Sequence, residues 1–79
     1  MQNLKLLLCG FGQIGRMLFR TAARRPDLEV VAVLDSNPEL IGADAGIAAG
    51  GSAAGIPVAG RLGDLGVRPD AAVVTTVSD

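Results

Sequence analysis

Six residues near the start of the chain constrain its fold more than any others. Gly10, Phe11, Gly12, Gln13, Ile14 and Gly15 spell G-x-G-x-x-G directly after the apolar run Leu6-Leu7-Leu8-Cys9, and a helical pattern begins at once afterwards. Each glycine answers a different steric demand of a strand that turns straight into a helix. Gly10 allows the tight turn, Gly12 lets a phosphate group come close to the backbone, and Gly15 lets the helix lie against the strand. In a chain with 11 glycines the motif alone is unspecific, so its flanks decide what it means.

The flanks agree with one another. Residues 4–9 read as a strand buried on both faces, since only Lys5 interrupts the apolar run. Residues 13–25 read as a helix, with Ile14, Leu18 and Ala22 forming its apolar stripe and Met17 and Phe19 beside it. Arg16, Arg20, Arg24 and Arg25 gather on the other side and toward the C-terminal end, where cations suit the helix dipole; Pro26 and Asp27 end the helix. Residues 28–34 form a second β-branched run closed by Asp35, which lies 20 positions (35 minus 15) beyond Gly15. That is where a dinucleotide-binding unit places the carboxylate that receives the adenosine ribose hydroxyls. Strand, glycine turn, helix, strand and acid together predict an α/β fold with a Rossmann-type parallel sheet.

The rest of the chain is less regular. Asn37-Pro38-Glu39 looks like a helix start, with Asn37 as the N-cap and the helix kept short by Gly42. The spacing Gly42-x-Asp44-x-Gly46-x-x-x-Gly50 reads either as a motif or as a flexible loop, with Asp44 capping a helix or orienting the loop. Ile56-Pro57-Val58 suits a short third strand at a sheet edge, where proline is tolerated. Residues 62–66 suit one turn of helix, Pro69-Asp70 a boundary, and residues 71–77 a last apolar strand. The expected architecture is therefore the first βαβ half of a Rossmann-type domain plus a fourth strand lying beside the first. Residues 1–79 read as one incomplete dinucleotide-binding domain, with the nicotinamide half and any substrate domain missing from them. The outer edge of that fourth strand is unpaired, which predicts self-association or marginal stability.

Composition excludes several functions. A formal charge of −1 and only two aromatics, Phe11 and Phe19, leave no basic patch or stacking platform for nucleic acid. The apolar run before Cys9 is too short for a secretory signal, and residues 45–60 are too broken by glycine and proline to span a membrane. A single cysteine forms no internal disulfide and fits a reducing cytoplasm. With no histidine, no metal-ligand cluster is visible and no catalytic residue is assigned; Cys9 reads as a small core residue, and Arg61 and Arg68 as surface charges.

Two resemblances follow from these residues. The stretch from Gly10 to Arg16, followed by Leu18-Phe19-Arg20, resembles the start of glyceraldehyde-3-phosphate dehydrogenase, but only as far as the second strand. The longer resemblance is to the N-terminal domain of the dihydrodipicolinate reductase-like family, especially the branch containing 2,4-diaminopentanoate dehydrogenase. It rests on Asp35, the segment N-P-E-L-I-G-x-D-x-G-x-x-x-G from Asn37 to Gly50, G-I-P-V from Gly55 to Val58, and P-D-x-x-V-x-T-T-x-S from Pro69 to Ser78. It implies an NAD(P)-dependent oxidoreductase acting on an amino acid or a cyclic imine. It also implies that Gly10, Phe11, Gly12, Gln13, Ile14 and Gly15 contact the pyrophosphate, Asp35 the adenosine ribose, and Thr75, Thr76 and Ser78 the nicotinamide side. The family's catalytic residues belong to a second domain and have no counterpart here. Gln13 stands where the reductases carry an arginine able to face a 2′-phosphate, and Ser36-Asn37 supplies no substitute, so NAD is expected over NADP. A non-catalytic nucleotide-sensing Rossmann module shares the fingerprint and the acid; the segment from Gly42 to Gly50 favours the dehydrogenase.

Overall fold

The computed structural model describes residues 3–75. Four strands, β1 (Leu4–Cys9), β2 (Leu28–Leu34), β3 (Val58–Ala59) and β4 (Ala71–Val74), form one sheet in the order β3-β2-β1-β4, with every pair parallel. The strand order is the one the sequence predicts, with β4 beside β1. Between β1 and β2 runs helix α1 (Gln13–Ala23), and between β2 and β3 a single helical turn, α2 (Ala45–Ala48). A 3₁₀ turn (Leu62–Asp64) lies on the connection from β3 at one sheet edge to β4 at the other. Residues 76–79, including Thr76 and Ser78 and the end of the last expected strand, lie outside the described residues.

The core gathers between the sheet and α1. Leu8, Phe11, Phe19, Val33, Ala45, Ala49 and Val58 are buried together, and the rings of Phe11 and Phe19 meet edge to face with centroids 5.7 Å apart. Several expectations are corrected here. Strand β1 is buried only from Leu6 to Leu8, while Leu4 and Lys5 are exposed. Helix α1 buries Gly15, Phe19 and Ala22, while Ile14 and Met17 are each 50% exposed. Its inward stripe is thus rotated about the axis, since glycine lets the backbone itself approach the sheet and Phe19 fills the space below. Asn37 does not start a helix: its side-chain oxygen accepts the Glu39 N–H at 3.0 Å, and its carbonyl accepts the N–H groups of Leu40 and Ile41, closing a turn. The helix lies further on, at α2. β3 begins at Val58, and Pro57 only makes an isolated bridge with Asp44.

Strand β2 carries one residue more than β1 at the middle of their ladder. Leu6 pairs with Val30 and Leu7 with Ala32, leaving Val31 as the extra residue of a bulge. Strand β4 is tied to β1 at its start by Asp70, whose N–H donates to the Lys5 carbonyl at 2.7 Å and whose carboxylate accepts the Lys5 N–H at 2.9 Å. The fold therefore fixes the C-terminal ends of β1, β2 and β4 side by side.

Candidate functional site

At those three strand ends the glycine turn is held from both sides. Gly10 has φ 103, a conformation side chains other than glycine rarely adopt, and its N–H donates to the Leu34 carbonyl at 2.8 Å. The next N–H, that of Phe11, donates to the Asp35 carboxylate at 2.6 Å, and the other carboxylate oxygen accepts the Asn37 N–H at 2.8 Å. On the β4 side, the Thr75 N–H donates to the Cys9 carbonyl at 2.8 Å, and the Thr75 hydroxyl lies 2.9 Å from the Gly10 carbonyl oxygen.

The three glycines of the motif divide their work in a way the geometry makes visible. A methyl group on Gly15 would drive into the Gly10 carbonyl, so Gly15 is required by packing within the chain. Gly12 is different. Its backbone is extended, with φ −78, and a Cβ there would meet nothing within 4 Å among the described residues. Neither conformation nor internal packing demands glycine at that position; open space lies in front of it. Gly12 is also the N-cap of α1, no side chain caps the helix, and its first turn carries no acidic residue. The helix thus presents backbone N–H groups and the positive end of its dipole to that space. The Arg16 side chain folds back over the same turn, with Nε 3.3 Å from the Gly12 carbonyl oxygen.

The space in question is a cleft of about 460 Å³ lined by Gly10, Gly12, Gln13, Ile14, Asp35, Ser36 and Thr75. The structure brings together six of the residues singled out by sequence: Gly10, Gly12, Gln13, Ile14, Asp35 and Thr75. Gly15 sits behind the turn. Phe11 is placed otherwise, for its ring is 0% exposed in the core and its N–H is taken by Asp35, so its part in the site is to carry the turn. Thr76 and Ser78 fall outside the described residues. Ser36 and the Asn37 N–H were not anticipated; the signal was the order Asp-Ser-Asn, since an aspartate readily accepts the N–H two residues on. A second cleft, about 500 Å³, opens at the far end of α1 against Phe19, Ala22, Val30, Ala49 and Ile56. It is mainly apolar, and Arg20 on its rim is spent on the Ala49 carbonyl at 2.9 Å. The glycine-turn cleft is therefore the site with convergent polar groups. Among the described residues no group of three possible metal ligands occurs, and no helix is long and apolar enough to cross a membrane.

Comparison with known proteins returns the same two resemblances. A family model described as "Dihydrodipicolinate reductase, N-terminus" matches residues 4–78. A 4-hydroxy-tetrahydrodipicolinate reductase from Picosynechococcus sp. is 39% identical over 51 residues, covering 65% of this chain and 18% of that protein. Glyceraldehyde-3-phosphate dehydrogenase 2 from Trichoderma koningii is 54% identical over 35 residues, covering 44% of this chain and 10% of that protein. The enzyme from Heyndrickxia coagulans is 58% identical over 31 residues, 39% of this chain and 9% of that protein. The dehydrogenase matches are higher in identity but cover less than half of this chain, whereas the reductase family model runs nearly from end to end. The matched stretch spans less than a fifth of each of these relatives.

Proposed function

Because the chain belongs to the family of dihydrodipicolinate reductase N-terminal domains, we propose that it forms the cofactor-holding part of an NAD(P)-dependent oxidoreductase acting on an amino acid or a cyclic imine. The observation that carries the reading is Gly12: a glycine that nothing among the described residues requires, at an uncapped helix start, facing an open cleft. Glycine there is accounted for by a ligand that comes close to the backbone, and the helix end makes that ligand an anion. A pyrophosphate fits both demands.

The remaining residues divide the dinucleotide between them. The N–H groups of the first turn of α1 receive the pyrophosphate. The Asp35 carboxylate, held in place by the Phe11 and Asn37 N–H groups, keeps acceptor capacity for ribose hydroxyls. A bound nicotinamide supplies the hydride chemistry, and the chain's part is binding and orientation. Asp35 also favours NAD over NADP, because a 2′-phosphate would meet its charge and neither Ser36 nor Asn37 offers a compensating cation. The substrate class follows the family resemblance and its 2,4-diaminopentanoate dehydrogenase branch. The proposal extends to a cytoplasmic setting, consistent with a single cysteine left free, and to association of chains through the outer edge of β4.

Calorimetric titration tests the reading. NAD is expected to bind at least tenfold more tightly than NADP, which is about 1.4 kcal/mol. Equal or tighter NADP binding overturns the preference, and binding of neither cofactor overturns the function. Gly12→Val is expected to keep the parent's thermal midpoint while losing most of the NAD affinity; a fall in stability with affinity intact would mean the glycine serves the fold.

A further inference from the structure

We infer that the Thr75 hydroxyl is a positioning group for the dinucleotide site, holding the glycine turn in its binding shape without itself touching the nicotinamide; this rests on the dinucleotide reading above. Thr75 follows β4 directly and extends its ladder with β1 by one bond, from the Thr75 N–H to the Cys9 carbonyl. That bond fixes where its side chain stands. The hydroxyl then lies 2.9 Å from the Gly10 carbonyl oxygen and 3.3 Å from that of Cys9. A hydroxyl has one proton, and both acceptors within reach among the described residues are main-chain oxygens, of Cys9 at the end of β1 and of Gly10 in the turn. The proton spent there is not available to a cofactor phosphate.

The placement of the Gly10 carbonyl shows why it needs holding. Gly10 is buried, and its carbonyl points beneath the Cα of Gly15, where an added Cβ would also come within 3.2 Å of Thr75 Oγ1. The Gly10 carbonyl, the Gly15 backbone and the Thr75 hydroxyl therefore meet at one point under the start of α1. β2 holds the N–H side of the turn through Leu34 and Asp35, while β4 holds its carbonyl side through Thr75. Removing the hydroxyl leaves a buried carbonyl without this donor, a penalty the turn relieves by rotating the Gly10 peptide. The same rotation would pull the Phe11 N–H from Asp35 and shift the Gly12 backbone that borders the cleft.

Two ligands and two substitutions test the role. Thr75→Val is expected to weaken binding of NAD and of ADP-ribose by the same factor, about tenfold. Thr75→Ser, which keeps the hydroxyl, is expected to bind both within about threefold of the parent. In the unliganded protein, the amide resonances of Gly10 and Phe11 should move in Thr75→Val and stay in place in Thr75→Ser. A loss confined to NAD would place Thr75 against the nicotinamide and overturn the inference, as would a Ser variant as weak as the Val variant. Should Thr75→Val not fold, Thr75→Ser and Thr75→Ala, which differ only in the hydroxyl, carry the same comparison. Failure of the parent protein to bind either ligand would overturn the dinucleotide reading instead, and the unliganded spectra would then decide the positioning role alone.

Discussion

Phe11 occupies a motif position usually treated as filler, yet its ring is one of the largest fully buried side chains in the protein. It packs against Phe19 on α1 and among Leu8, Val33 and Val58 of the sheet. Truncation to alanine should therefore cost about 3–5 kcal/mol, read as a fall in the urea midpoint. In a domain of this size that loss approaches the whole stability. Sequence identified Phe11 by its place in the fingerprint but not by the direction of its side chain, because a motif records spacing along the chain and the core is set by packing across it. The same limit applies to Ile14, an apolar residue at helical spacing that lies half exposed at the cleft. The place of Asp35 beside the glycine turn was legible for the opposite reason: it depends on distance from the glycines along a βαβ unit of nearly fixed dimensions. Its grip on the Phe11 N–H was not legible, since nothing in the spacing reveals which way a carboxylate turns.

Among the elements, α2 with its following loop was the least readable and is the most tightly tied. Asp44 accepts the Ile47 N–H at 3.0 Å as the helix cap, the Ala54 N–H at 2.9 Å and the Gly55 N–H at 2.8 Å, with the Ile56 N–H at 3.3 Å. Gly46 packs so closely on Ser52 and Ala54 that a Cβ would collide with their backbone. A run of glycine and alanine carries no periodic signal, so a single carboxylate supplies what patterning does not. The N–H groups of Ala54 and Ile47, followed by those of Gly55 and Ile56, hold the Asp44 carboxyl below its ordinary value of 3.8. A carboxyl with a depressed native pKa binds fewer protons in the folded state, so it stabilises the fold at pH above the unfolded value. That stability is lost as pH falls through the lower, folded value. Asp44→Asn should accordingly lower the thermal midpoint at neutral pH, with the gap to the parent closing at pH below 3.8. A gap that persists unchanged in acid would show that the charge is not what holds the loop. By contrast β1, α1 and β2 were read nearly in full, because their apolar periods are long enough to distinguish strand from helix.

At the scale of the molecule, the sheet ends on β4, whose Ala71, Ala72 and Val74 are exposed, Val74 at 68%. An uncharged edge of this kind is a template for a further strand. Sedimentation of the protein over a range of concentrations should show reversible association, and Val74→Lys should shift it toward monomer with little change in thermal midpoint. A single monomeric species of the parent at every concentration would count against association through this edge. The strand order was legible because parallel strands joined by crossovers admit few arrangements, while the interaction that locks the final strand to the site was not. That interaction has a consequence for how the protein comes into being. The bond from Thr75 to Gly10 joins residues 65 positions apart, so it closes a long loop, and contacts of such separation are slow to form. A chain emerging from the ribosome holds all of its fingerprint glycines first, but their turn is finished only once Thr75 has followed. The cleft is then shaped only after β4 has paired with β1.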